Sequence, residues 1–171
     1  MESRNTPSAG GTSEVTPLPE CGVLAGFDVD SRRALAAAGE IRTLAAKSYF
    51  STQGKPLDEM AIILSGTFAV SCQARGEIIE LAQLGAGEIV GEMSVIDPQN
   101  ASAYVRVASD EAQLWVLSAS RFEAMVERDR TLGFQLLKAI SIRLCKRIRR
   151  NSDVMLRTAE KNRNVFLDMD Y

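Results

Sequence analysis

The sequence predicts a mainly β protein with flanking helices, in which a β-sandwich or jelly roll is followed by one long C-terminal helix. Short apolar or alternating segments recur between glycine-containing turns from residue 41 to residue 117. Many short strands at such turn-punctuated spacing are typical of sandwiches and jelly rolls. The apolar period then becomes helical after Ser120 and stays helical beyond residue 131.

A short helix is expected ahead of the strands. Asp30 or Ser31 is its predicted N-cap, residues 32–38 form its body, and Gly39 follows its end. Seven strands should follow, at residues 41–46, 48–52, 59–64, 67–71, 78–84, 103–107 and 113–117.

Two helices are predicted after the strands. Ser120 is the expected N-cap of residues 121–127, with Glu123 in the capping-box position. The long helix should run from about residue 131 to about residue 158. Its predicted dimer face is an apolar stripe that contains one asparagine, made of Leu137, Ile140, Leu144, Ile148, Asn151 and Met155.

Length and composition fit one globular domain, with 171 residues, 46% hydrophobic and 25% charged. Residues 1–20 are rich in Ser, Thr, Pro and Gly and lack the apolar centre of a secretion signal, so we expect a flexible leader. The expected organisation is completed by a barrel with short helices at 21–130, the long helix at 131–160 and a tail at 161–171. The longest uncharged stretch, residues 60–74, is shorter than the roughly 20 residues that span a bilayer.

The absence of histidine argues against most catalytic and metal chemistry. It removes His-dependent triads and the imidazole ligands of a cupin-like barrel, which is the form that we would expect if the chain were an enzyme. Cys21, Cys72 and Cys145 are too widely spaced for a zinc pair, and their odd count argues against a disulfide framework. We therefore expect a cytoplasmic protein with no catalytic residue, no metal and no cofactor.

Residues 85–107 look like a phosphate-binding loop that lacks its arginine. Gly85, Gly87 and Gly91 let the backbone turn and approach a bound group, and Glu92 follows directly. No cationic residue lies between Glu92 and Val105. If Val105 faces the barrel interior, the two-residue period of a strand places Arg106 on the outer face, where it cannot replace the missing cation.

In this order and spacing, the motifs resemble those of the cyclic-nucleotide-binding domain family over roughly residues 22–150. They are FSTQG at 50–54, ILSGTFAV at 63–70, LGAGE at 84–88, GEMS at 91–94 and ASAYVR at 101–106. The resemblance implies a β jelly roll, or double-stranded β-helix barrel, with a long C-terminal helix that pairs with a second copy. A homodimer is therefore expected, although packing of the helix against its own barrel also explains the first half of the apolar stripe.

The resemblance also implies a ligand site. Gly91, Glu92, Met93 and Ser94 match the turn whose amides face a cyclic phosphate and whose glutamate accepts a ribose hydroxyl. Ser102 and Ala103 match the strand that follows the family's phosphate-binding arginine, but Ala101 stands at the arginine position. Two plainer explanations stay open, namely Glu92 as a first-turn acid of its own helix and Ser102 as an ordinary strand serine.

Loss of one partner of a buried charge pair costs about 2–5 kcal/mol, which weakens binding by about 30-fold to several thousand-fold. The pocket has therefore lost its nucleotide, binds a different ligand, or receives charge from elsewhere. Six cations and no acid occur between residues 131 and 150. Such a run is commonly a solvated face, but the resemblance brings residues 143–148 near the ligand, so Arg143 and Arg147 are candidate contacts.

The function predicted is that of a non-enzymatic sensor or adaptor, which binds cyclic AMP, cyclic GMP or cyclic di-GMP and regulates a partner protein. The alternative is a ligand-free domain that serves as a protein-interaction scaffold. Only about twenty residues follow Arg150, too few for the helix-turn-helix of the family's transcription factors, so we expect no specific DNA binding.

Overall fold

The structure, a computed structural model, describes residues 15–167, with side chains through residue 158. A 3₁₀ turn at Gly22–Leu24 comes first. The strands are β1 Glu40–Ala45, β2 Tyr49–Ser51, β3 Glu59–Ser65, β4 Phe68–Ala74, β5 Glu77–Leu84, β6 Ile89–Val90, β7 Tyr104–Val107 and β8 Glu111–Ser118. The helices are α1 Val29–Ala38, α2 Glu92–Ile96, α3 Ala119–Arg128 and α4 Arg130–Leu167. The predicted jelly roll with a long C-terminal helix is confirmed.

The strands form two antiparallel four-stranded sheets, in the orders β1-β8-β3-β6 and β2-β7-β4-β5. Both sheets contribute to the barrel interior: Ile63 and Leu114 from the first sheet share one buried cluster with Phe68 and Val105 from the second. The two sheets thus pack against each other through one apolar core.

The inner strands of the first sheet, β3 and β8, are buried on both faces. Successive residues of β3 alternate between the barrel interior, where Ile63 lies, and a second core that the helices cover, where Ile62 lies. Trp115 of β8 belongs to this second core. Burial on both faces explains why β3 and β8 are continuously apolar in sequence rather than alternating.

The beginning of α4 packs against its own domain. Leu132, Leu136 and Ile140 recur every four residues, and all three are buried in the second core together with Val23 and Leu24 of the 3₁₀ turn. Because α4 is fixed at Ile140, its next two turns lie beside the Gly91 turn, which joins β6 to α2.

Two predicted helix caps are wrong. The N-cap of α1 is Asp28 rather than Asp30 or Ser31, because Asp28 Oδ1 accepts the Ser31 N–H at 2.7 Å. The N-cap of α3 is Ser118, whose Oγ accepts the Arg121 N–H at 3.3 Å, whereas Ser120 lies inside the helix. The helix begins earlier because β8 ends at Ser118, and Glu123 is then too far along α3 for a capping box.

The expected boundaries also need correction. Within the expected flexible leader, residues 1–14 lie outside the described residues, but Leu18 is buried and accepts a hydrogen bond from Arg32 Nη1 at 2.8 Å. The folded unit therefore begins before residue 21. At the other end α4 continues to Leu167, past the expected boundary at residue 160 and into the expected tail, of which residues 168–171 are outside the described part.

Across residues 15–167, no helix combines the length and apolar character needed to cross a bilayer. The same described residues contain no group of three Cys, Asp or Glu side chains placed to hold a metal ion.

Candidate functional site

The Gly91–Glu92 turn that the sequence singled out opens the short helix α2. Gly91 is its N-cap with φ 70°, and a Cβ at this position would lie 2.5 Å from the Glu59 carbonyl oxygen. Only glycine combines this left-handed backbone with so close an approach. The turn directs the side chain of Glu92 inward, and Glu92 is only 2% exposed.

Arg147 of α4 pairs with this buried carboxylate. Its Nη1 donates to Glu92 Oε1 at 2.7 Å, and its Nη2 donates to the carbonyl oxygen of Ile89 at 3.4 Å. The carboxylate is cut off from water, so its charge depends on the guanidinium for neutralisation. The Arg147 side chain is 45% exposed, in contrast to the carboxylate that it contacts.

A second ion pair lies one helical turn earlier. Arg143 Nη2 donates to Glu88 Oε1 at 3.2 Å, and both side chains are about one-third exposed. The other oxygen of Glu88 accepts the Gly85 N–H at 3.0 Å. Glu88 thereby ties the glycine-containing turn ahead of β6 to α4.

The two pairs share one spacing. Glu88 and Glu92 are four residues apart, as are Arg143 and Arg147, which therefore lie on one helical face. This face continues the buried face of α4, because Arg143 follows buried Leu136 by seven positions and Arg147 follows buried Ile140 by seven. We call these four residues, Glu88, Glu92, Arg143 and Arg147, the ionic clasp.

The position expected for the family's arginine is occupied by a small, fixed residue. Ala101 is 7% exposed; its N–H donates to the Lys55 carbonyl at 2.8 Å, and its own carbonyl accepts the Gly54 N–H at 2.8 Å. Ser102 is exposed, and the carbonyl of half-buried Ala103 accepts from Ser51 Oγ at 3.1 Å.

The expectation for β7 is confirmed. Val105 and Val107 are buried in the barrel while Arg106 is exposed on the outer face. Arg106 therefore does not supply a cation to the barrel interior.

Strand β2 lies between the two halves of the predicted site, which are residues 91–94 and residues 101–103. A ring carbon of Phe50 would lie 3.1 Å from a Cβ on Gly91, and the next residue, Ser51, bonds to Ala103. Buried Ser94 lies on the Gly91 side, whereas Met93 is 56% exposed and turns its side chain outward. Arg147 thus contacts the Gly91–Glu92 half of the site directly. Arg143 is held next to this half by its contact with Glu88.

Sequence reasoning assigned no role to Glu88. A signal was present, since the four-residue spacing of Glu88 and Glu92 matches that of Arg143 and Arg147. Spacing alone could not show that these segments face each other.

The predicted dimer stripe is divided by the fold. Ile140 is fully buried in its own domain, so its assignment to the dimer face is wrong. It lies on the barrel-facing side because it aligns with Leu136 and Arg147 along the helix. Leu137 and Leu144 are half-buried against the same core. By contrast, Ile148 is 64% and Met155 72% exposed, with exposed Asn151 between them.

Comparison with known proteins agrees with this architecture. An uncharacterized NTE family protein of Mycobacterium tuberculosis is 30% identical over 139 residues, which are 81% of this chain and 23% of that protein. The chain thus spans about a quarter of the length of this relative.

Two solved structures share the fold. A cyclic nucleotide-binding domain from Methylobacillus flagellatus is 27% identical, with a TM-score of 0.72 over 76% of this chain and 73% of that one. The catabolite activator protein of Thermus thermophilus is 22% identical, with a TM-score of 0.68 over 78% of this chain and 61% of that one.

The family model described as cyclic nucleotide-binding domain matches residues 41–129, which include strands β2 to β8 in full, the Gly91–Glu92 turn and α3. The chain therefore belongs to the cyclic nucleotide-binding domain family.

Proposed function

We propose that this chain is a non-enzymatic, cytoplasmic sensor that binds a cyclic nucleotide or cyclic dinucleotide in its barrel and regulates a partner protein. The observation that carries the proposal is the contact of Arg147 with Glu92. It brings a guanidinium to the site from α4, whereas the position of the family's arginine, ahead of β7, holds Ala101.

The chemistry of the clasp suits an anionic ligand with hydroxyl groups. A guanidinium binds a phosphate through two parallel hydrogen bonds, so Arg147 is equipped to take the role that Ala101 lacks. Once Arg147 has turned to a phosphate, Glu92 is free to accept from a sugar hydroxyl. Arg143 adds a second cation one turn away, which favours a ligand with two phosphates such as cyclic di-GMP over cyclic AMP or cyclic GMP.

The exposed part of α4 provides a route to a partner. Ile148 and Met155, seven residues apart, lie on one face of the helix with Asn151 between them. Such a face is suited to a two-stranded seam with a second copy, in which a buried asparagine fixes the register. We include a homodimer in the proposal, and we propose that the partner protein recognises α4 in one of its positions.

A second candidate function is a ligand-free scaffold for protein interaction. It is favoured by two observations, namely the uncharged residue Ala101 and the fact that Glu92 already has a cationic partner in Arg147. In such a domain the clasp would close α4 on the barrel permanently.

Thermal unfolding with cyclic AMP, cyclic GMP and cyclic di-GMP tests the proposal, with linear 5′-AMP as a control. A ligand at 100 times its Kd stabilises the folded state by about 2.7 kcal/mol, which raises Tm by several degrees for a domain of this size. An increase with at least one cyclic compound and none with 5′-AMP supports the sensor. Unchanged Tm values with all three at millimolar concentration favour the scaffold and contradict the proposed function.

A further inference from the structure

We infer that the ionic clasp is an autoinhibitory latch: it holds the middle of α4 against the site in the absence of ligand, and a phosphate-bearing ligand must break it to bind. The ligand part of this inference rests on the proposed function, whereas the latch itself does not. Its basis is that the residues of α4 that would contact a ligand are already engaged with acids of the barrel.

The apolar anchor of α4 ends at Leu144, between the two arginines of the clasp. Among the α4 side chains that the structure describes, through residue 158, Ile140 is the last that is fully buried, and those after Leu144 are exposed. In the described side chains beyond Ile140, the polar contacts between α4 and the barrel are those that Arg143 and Arg147 make with Glu88, Glu92 and the Ile89 carbonyl. This part of α4 is therefore held both by Leu144, which is half-buried against the second core, and by the clasp. Beyond Leu144, where the described side chains are exposed, the polar contacts with the barrel are those of Arg147.

The two ion pairs of the clasp differ in exposure. The Arg147–Glu92 pair includes a carboxylate that is almost completely buried, whereas both members of the Arg143–Glu88 pair are about one-third exposed. The exposed pair is the easier one to open, since water can solvate both ions as they separate. An incoming phosphate competes with Glu88 first and with Glu92 second, and each arginine that it captures releases one acid.

This exchange couples binding to the helix. While the clasp is closed, α4 lies over the barrel and Arg147 occupies the carboxylate that a sugar hydroxyl would use. When a ligand takes the arginines, α4 is connected to the barrel through the ligand instead of through Glu88 and Glu92. The seam residues Ile148 and Met155 follow Arg147 on the same helix, so their position changes with it.

Hydrogen–deuterium exchange of the full chain without ligand tests the latch. Glu88→Gln is the main variant, because the amide oxygen of Gln can still accept the Gly85 N–H while the charge that holds Arg143 is lost. We expect amides 144–150 to exchange about two- to fivefold faster in Glu88→Gln and in Arg143→Gln. The double variant should exchange no faster than either single variant, because the two residues act as one pair. Arg149→Gln, on an exposed arginine of the same helix, should match the wild type.

The ligand arm uses calorimetric titration with cyclic di-GMP. Cyclic di-GMP should bind Glu88→Gln about two- to fivefold more tightly than it binds the wild type. In this variant one pair of the clasp is already open, so the ligand has fewer contacts to break. Unchanged exchange at residues 144–150 in both single variants, or additive effects in the double variant, would overturn the latch. Faster exchange without binding of cyclic di-GMP would uphold the latch and count against the proposed ligand instead. Weaker binding by Glu88→Gln would contradict the competition between ligand and clasp.

Discussion

Arg147 donates from α4 to Glu92 of α2 at 2.7 Å, although the two residues are 55 positions apart in the sequence. The contact joins the acid of the Gly91–Glu92 turn to the helix that covers it. A buried carboxylate is costly unless it is neutralised, so this pairing explains how the chain keeps a charged side chain in a site from which the strand arginine is missing.

Removal of Arg147 should destabilise the fold. Arg147→Gln leaves the Glu92 carboxylate buried without its cation, and we expect a loss of about 1–2 kcal/mol in the free energy of unfolding, since nearly half of the arginine is solvated. Glu92→Gln should cost less, because a neutral amide needs no counter-ion. Urea denaturation measures both, with Arg149→Gln as a control expected within about 0.5 kcal/mol of the wild type. Equal stability of Arg147→Gln and the wild type would contradict a structural role for the pair.

An arginine at position 101, where the family places one, should give tight binding of a cyclic mononucleotide. Ala101→Arg places a guanidinium at a position that is buried and fixed by backbone hydrogen bonds. We expect the Kd for cyclic AMP or cyclic GMP to fall by about 30-fold or more, the lower end of the effect of a buried charge partner. Calorimetry should compare it with Ala101→Gln, which adds a long side chain without the charge. Identical affinities in the two variants would show that position 101 does not face the ligand.

The two halves of the apolar stripe on α4 should respond differently to substitution. Ile140→Ala removes a fully buried side chain and should destabilise the fold by about 2–4 kcal/mol. Ile148→Asp with Met155→Asp should leave the fold intact and convert a dimer to a monomer, because both side chains are exposed on α4. Light scattering after gel filtration measures the oligomeric state, and circular dichroism monitors the fold. A wild-type monomer at micromolar concentration, or a dimer that persists after both substitutions, would contradict a dimer contact at Ile148 and Met155.

The Asp28 cap should make stability depend on pH in the acid range. The hydrogen bond from the Ser31 N–H holds the pKa of Asp28 below its ordinary value. A carboxyl whose pKa is lower in the folded state stabilises the fold above the unfolded pKa, and this contribution is lost as pH falls through the folded value, below about pH 4.

Asp28→Ala should lower Tm by about 2–4 °C at pH 7, the effect of a lost helix cap. Asp28→Asn can still cap α1 but has no charge, so its Tm should decline less than that of the wild type between pH 5 and pH 3. Parallel declines in the wild type and Asp28→Asn would assign the pH dependence to other groups.

The sequence was informative where one local pattern fixes one outcome. Turn glycines and apolar runs located seven of the eight strands within residues 15–167, and the period of two placed Arg106 outside the barrel. Strand β6 was missed because two residues, Ile89 and Val90, carry no period. The caps shifted because an N-cap is set by where the preceding segment ends, as Ser118 shows at the end of β8.

Long-range partners were the part that sequence could not supply. Glu92 was identified from its motif, and Arg147 from its distance along the chain in the family's pattern. Their pairing, however, depends on which turn of α4 is fixed against the domain. Ile140 sets that depth by its packing against the 3₁₀ turn and the first sheet, and its burial is not visible in the apolar stripe. Its assignment to the dimer face was wrong for the same reason.

The central claim is that α4 supplies the cation that the strand lacks, and calorimetric titration of cyclic di-GMP into matched arginine variants tests it most directly. If the claim is correct, the wild type and Arg149→Gln bind with the same Kd, while Arg147→Gln binds at least about 30-fold more weakly. A wild type that binds with an affinity unchanged by Arg147→Gln would contradict it.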